Sequence, residues 1–243
     1  MVQLTMNRVS VSFPVSKLRA APCLAVLLLV VAAQFLWAPA TSANDAKAEE
    51  RPKLEEGFEW LFDGKTLKGW EGNDKYFRVE KGCVVAGTLK DKIPNNEFLC
   101  TEKKYEDFEL ILEAKVRGQG NNAGVQFRSE RIPNDHEVKG YQCDIGVAFK
   151  RPVWGALYDE SRRRKMLAEG PADKVKEWFK DGQWNELKIV ATGDSVKLYL
   201  NGNITVDYTE EDKDIGKSGI IGLQIHSGPP TEALYRNIRI REL

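Results

Sequence analysis

From Phe58 onward the apolar residues of this chain recur with a period of two. Phe108, Leu110, Leu112, Ala114 and Val116 alternate with Glu109, Ile111, Glu113 and Lys115, which predicts one long strand with an apolar face. Leu187, Ile189 and Ala191, then Val196, Leu198 and Leu200, repeat the pattern on either side of a turn at Thr192-Gly193-Asp194. Asn201-Gly202 predicts a second tight turn before a strand from Ile204 to Tyr208. Ile220 to His226 and Leu234 to Leu243 read as closing strands, the latter with Ile238 and Ile240 alternating with Arg239 and Arg241. A single short helix is expected near Ala172 to Phe179. About a dozen strands at short, regular spacing, joined by Gly-rich turns, predict an all-β sandwich of two sheets. No internal repeat of fixed period points to a propeller or solenoid.

Three strands carry polar residues on the face that faces away from their apolar partners. Val125 and Phe127 alternate with Gln126 and Arg128; Tyr141, Cys143 and Ile145 with Gln142 and Asp144; Leu223 and Ile225 with Gln224 and His226. Together they predict one polar face within a sheet, and such a face is a candidate site. The bland alternatives are a cross-strand ion pair between Arg128 and Asp144 that holds register, and a hydrogen-bonded structural role for His226. Downstream, Trp154 and Tyr158 offer aromatic surface on which a sugar ring could stack. Glu160, Arg162 and Arg163 are either functional or part of a solvated charged loop. Trp60, Trp70 and Trp184 adjoin apolar strands and are expected in the core.

The first 43 residues differ. Arg8, Lys17 and Arg19 precede the apolar run from Cys23 to Trp37, and small residues follow up to Ala43. This is the pattern of a secretory signal peptide over residues 1–43, with an exported, periplasmic or secreted product. A retained anchor is the alternative, although the run falls short of the roughly 20 residues of a comfortable span. A charged leader, residues 44–56, is expected to be flexible, and the domain proper covers 57–243. The whole chain has 36 basic and 36 acidic residues. Cleavage removes three basic and no acidic ones, leaving 33 against 36, or about −3. That balance gives no basic face for nucleic acid. Cys83, Cys100 and Cys143 remain after cleavage, so at most one internal disulfide can form.

Several segments resemble the 3-keto-disaccharide hydrolase family. They are Phe58-Glu59-Trp60-Leu61-Phe62-Asp63-Gly64, Asn122-Ala123-Gly124-Val125-Gln126-Phe127-Arg128-Ser129, Gly140-Tyr141-Gln142-Cys143-Asp144-Ile145 and Gly155-Ala156-Leu157-Tyr158-Asp159-Glu160-Ser161-Arg162-Arg163. Trp184-Asn185, Leu200-Asn201-Gly202, Gly222-Leu223-Gln224-Ile225-His226 and Arg236-Asn237-Ile238 continue the likeness in order. The resemblance implies a concanavalin A-like jelly roll of two curved antiparallel sheets, acting on sugars whose C3 hydroxyl is a ketone. A 3-keto group acidifies the C2 proton, so a base can form an enolate that expels the glycosidic oxygen, and water then adds back. Such a site needs a base, support for the enolate oxygen and an acid for the leaving group. The expected roles are His226 or Asp144 as base, Arg128 as oxyanion partner and Glu160 as a second acid or base. Gln126, Gln142, Trp154, Tyr158, Arg162, Arg163 and Gln224 are expected to bind the substrate. A divalent metal held by His226 and nearby carboxylates is an alternative electrophile. The runner-up reading is a non-catalytic, lectin-like carbohydrate-binding module on the same face.

Overall fold

The computed structural model describes residues 51–243; the secretory signal read over 1–43 lies outside them. The strands run β1 (Glu59–Trp60), β2 (Trp70–Glu71), β3 (Phe77–Glu80), β4 (Cys83–Thr88), β5 (Glu97–Thr101), β6 (Phe108–Gly118), β7 (Asn122–Arg131) and β8 (Val138–Ala148). They continue as β9 (Arg151–Pro152), β10 (Leu157–Glu160), β11 (Lys165–Ala168), β12 (Asn185–Thr192), β13 (Ser195–Leu200), β14 (Asn203–Thr209), β15 (Ile220–Ile225) and β16 (Thr231–Glu242). One helix, α1 (Ala172–Trp178), lies where the sequence predicts it.

Two antiparallel sheets form a jelly-roll sandwich. The first has the order β14-β13-β12-β6-β16-β4-β3, with β1 also on β16. The second runs β11-β10-β8-β7-β15-β5-β2, with β9 also on β8. The period-two residues meet between them: Phe108, Leu110, Leu112, Leu187, Ile189, Leu198 and Tyr235 from one side, Val125, Phe127, Tyr141, Cys143, Ile145, Leu223 and Ile225 from the other. Phe108 meets Phe127 edge-on across the gap at 6.4 Å, and Phe127 stacks on Tyr141 at 5.5 Å. The Tyr235 hydroxyl crosses the core and donates to the backbone carbonyl of Gln224 at 2.6 Å. It thereby ties the first sheet to a strand that carries the polar face of the second.

Trp70 is buried, as expected. Trp60 and Trp184 are only half-buried. Arg51 lies over Trp60 at 3.8 Å, and Arg236 and Lys115 lie over Trp184 at 4.1 and 5.0 Å. Each ring packs its edge on a strand and offers its negative face to cations. Part of the predicted flexible leader is also fastened. Arg51 donates to the Phe62 and Asp63 carbonyls, and Glu55 accepts two bonds from Arg239 at 2.8 Å. Cys83, Cys100 and Cys143 are buried in three separate apolar clusters, so no disulfide joins them to one another.

Candidate active site

Alternation puts the polar residues of the second sheet on its outer face, and antiparallel register arranges them in rows. In one row Tyr158 pairs with Gln142, Gln142 with Gln126, and Gln126 with Gly222. In the next, Asp144 pairs with Gly124 and Gly124 with Gln224. Beyond these, the His226 backbone N–H donates to the Asn122 carbonyl at 3.4 Å. Gly124 is there for space. A Cβ at that position would lie 2.4 Å from Gln142 Cδ, so the missing side chain lets Gln142 lie flat along the sheet.

That posture closes a directional chain of hydrogen bonds. Ser129 Oγ donates to Gln126 Oε1 at 2.9 Å, Gln126 Nε2 to Gln142 Oε1 at 2.6 Å, and Gln142 Nε2 to Asp144 Oδ1 at 2.6 Å. Each amide is oriented by its neighbour, so the carboxylate at the end is fixed in position and in hydrogen-bond polarity. Glu160 spans the two intervening strands and accepts from Gln224 Nε2 at 3.3 Å. Gln224 Oε1 is buried without a hydrogen-bond partner among the described residues.

Asp144, Glu160, His226, Tyr158 and Gln142 line one cavity of about 300 Å³, together with Asn96, Asn122, Ala148 and Phe149. Among the described residues no arginine or lysine lines it, and the carboxyl groups respond to that. Burial pushes Asp144 up to about 7, with Glu160 and Glu169 adding repulsion and the Gln142 hydrogen bond opposing it. Glu160 is also raised, first by burial and then by Glu137, while His226 pulls it down. Burial, then Glu160 and Asp144, raises Tyr158, so its phenol keeps its proton as a neutral donor. His226 Nδ1 lies 2.6 Å from the Ser227 carbonyl. A carbonyl oxygen only accepts, so Nδ1 carries a hydrogen and directs it at the backbone.

Four residues expected on this face lie elsewhere. Arg128 has φ +46°, and β7 carries an extra residue there: Phe127 pairs with Tyr141 but Glu130 already pairs with Lys139. This β-bulge breaks the alternation. The guanidinium instead binds the Glu106 and Gly193 carbonyls at 2.8 and 2.7 Å and Asp107 at 2.7 Å. It forms no ion pair with Asp144. Arg162 and Arg163 fold back onto Asp159, a wholly buried carboxylate that alternates with Tyr158 and Glu160 and needs cationic partners. Arg162 lies 4.6 Å over Tyr141, and Arg163 also grips Glu210 at 2.7 Å. Trp154 is 2% exposed and stacked on Phe179 at 4.9 Å, so it packs the interior and offers no sugar platform.

Four cavity residues, Asn96, Asn122, Ala148 and Phe149, escaped the sequence reading. Asn122 shares its face with Gly124 and Gln126, and extending the alternation two residues would have found it. Asn96 is adjacent to β5 and reaches the site only through long-range pairing; its Oδ1 accepts from the Ser227 N–H at 2.9 Å. Phe149 sits in a hairpin turn, where periodicity carries no information. No group of three or more His, Cys, Asp or Glu among the described residues is arranged to hold a metal ion, so the residues present do not form a ready site for the divalent metal considered above.

A family model described as the 3-keto-alpha-glucoside-1,2-lyase-like domain matches residues 57–241. A 3-keto-disaccharide hydrolase of Bacteroides thetaiotaomicron is 22% identical over 252 aligned residues, covering 83% of this chain and 85% of the relative. A Parabacteroides distasonis protein provisionally classed as a glycosyl hydrolase superposes with a TM-score of 0.59 at 17% identity, over 80% of this chain and all of that one (100%). A Bacillus subtilis protein with a galectin-like fold gives 0.53 at 12% identity, over 72% of this chain and 90% of that one.

Proposed function

The chain belongs to the 3-keto-alpha-glucoside-1,2-lyase-like family, and from that premise we propose that it cleaves the glycosidic bond of 3-keto-glycosides by removing the proton at C2. The observation that carries this reading is the convergence of Asp144, Glu160 and His226 on one cavity that holds no lysine or arginine among the described residues. A carboxyl group poised at about 7 suits a base at neutral pH, because enough of it is ionised and its conjugate acid is not too strong.

Asp144 takes the C2 proton, and the C–H electron pair becomes the enolate spread onto the C3 oxygen. The Tyr158 hydroxyl and the Asn122 and Asn96 amides are the neutral donors near enough to support that oxygen, the role the sequence assigned to Arg128. The enolate then re-forms the C3 ketone, makes a C1–C2 double bond and expels the oxygen on C1. Glu160, whose carboxyl burial shifts upward, gives that oxygen a proton. Water adding to C1 and a proton returning to C2 complete hydrolysis. Gln126, Gln142 and Gln224 hold the face in register. The basic-then-apolar N-terminal segment supports an exported site of action.

The test is product release from a 3-keto-glucoside and from its unoxidised parent. Cleavage of the keto sugar alone is expected. Glu160→Gln should be rescued by a nitrophenyl leaving group, which needs no acid, whereas Asp144→Asn should not. Binding without any cleavage would favour the lectin-like module.

A further inference from the structure

The turn between β8 and β9 departs from the residues its geometry calls for. Val147 pairs with Pro152 and Ala148 with Arg151, leaving Phe149 and Lys150 as a two-residue loop with φ +51° and +63°. Two positive values define a type I′ turn, which Asn-Gly fills with least strain. The favoured pair fills another hairpin, where Asn201 and Gly202 take +48° and +81°, and a glycine holds the second place between β3 and β4, where Lys81 and Gly82 take +49° and +76°. A phenylalanine and a lysine in the left-handed region are strained, and such strain concentrates at functional positions.

The strained residue is also the most exposed large hydrophobic group among the described residues, at 71%, and it lines the rim of the catalytic cavity. Its ring is supported from one side. Arg151 lies over it at 5.4 Å, and Glu169 holds that guanidinium through both carboxylate oxygens at 2.7 and 2.8 Å.

We propose that Phe149 is the stacking platform for the sugar that leaves from C1, a binding subsite outside the cavity that holds the reacting ring. This inference rests on the function proposed above. A cavity of about 300 Å³ is at the small end of ligand sites, and with the reacting ring held at Asp144 and Glu160 the second ring of a disaccharide is placed at its mouth. The C–H bonds on the apolar face of a pyranose pack against an aromatic face. Arg151 occupies one side of the Phe149 ring and leaves the other for that contact.

The experiment compares a 3-keto-disaccharide with methyl 3-keto-glucoside, which lacks the second ring. Phe149→Ala should raise KM for the disaccharide about three- to tenfold more than KM for the methyl glucoside, with kcat for the disaccharide nearly unchanged. Phe149→Trp should retain the disaccharide preference. Phe149→Asn should lose it while raising Tm by about 2–4 °C, because the turn then has a residue suited to its geometry. Equal effects on both sugars, or none on either, would overturn the platform, as would a lowered Tm for Phe149→Asn. Calorimetric binding of both sugars to Asp144→Asn, with and without Phe149→Ala, reads the same difference without turnover. A failure of the cleavage reading is thus separable from a failure of the platform.

Discussion

The two sheets are written in the same alternating pattern, yet their outer faces solve the problem of polar groups in opposite ways. On the first, charges meet opposite charges: Glu109 with Arg241 at 2.5 Å and Lys188 at 3.6 Å, Glu113 with Arg236 at 2.5 Å. On the second, amides orient one another and end on a carboxylate whose hydrogen-bond donor is a glutamine. Paired charges on an open face add little to stability and bind nothing. A carboxylate left without a cation is a group that the fold tolerates at some cost, and such costs collect where chemistry is done.

Removing the cost should remove the chemistry. Asp144→Asn is expected to lower turnover of a 3-keto-glycoside by about 10²–10⁴-fold. It should also stabilise the protein, in a pH-dependent way. The folded state prefers the neutral acid, so stability is highest below the ordinary value of 3.8 and falls as pH rises to about 7. The penalty above that is of order 4 kcal/mol from about three units at 1.36 kcal/mol each. Thermal melts should therefore show the variant gaining over the parent at pH 8 and little at pH 4.

Arg128 tests whether its fork belongs to structure. Arg128→Ala should cost about 3 kcal/mol in urea unfolding, since it leaves two carbonyls and Asp107 without their buried partner. Arg128→Lys should recover little of this, because an ammonium cannot serve three acceptors in a plane. The kcat of any folded fraction should stay close to that of the parent. Gly124→Ala should act on both properties. Pushing Gln142 off the sheet is expected to cost about 1–3 kcal/mol through overpacking and to reduce kcat about 10–100-fold through a misplaced Asp144. Smallest is Lys188→Gln on the first sheet, which should change stability by less than about 0.5 kcal/mol and leave turnover alone.

The same contrast explains what the sequence made legible. Gln126, Gln142, Asp144, Gln224 and His226 could be placed on one face because period two holds along their strands, whereas Tyr158 and Glu160 came from the family resemblance and not from alternation. Arg128 failed one residue past Phe127, where a bulge changed the count. Arg162 and Arg163 failed because Asp159 is buried and draws them to the inner side. Trp154 was judged by residue type, and its partner Phe179 is 25 positions away. Asn96 and Phe149 reach the cavity through strand pairing and a turn, neither of which leaves a mark on local periodicity.

The three thiols carry a last consequence. Cys143 lies in the central core, Cys100 with Phe98 on the outside of the second sheet, and Cys83 with Val85 on the outside of the first. Burial raises Cys100 to about 12 and Cys143 further, so neither offers a thiolate to an oxidant. The second sheet and the core behind it therefore expose no reactive thiol, and neither Cys100 nor Cys143 makes the fold depend on the redox poise of whatever compartment surrounds it.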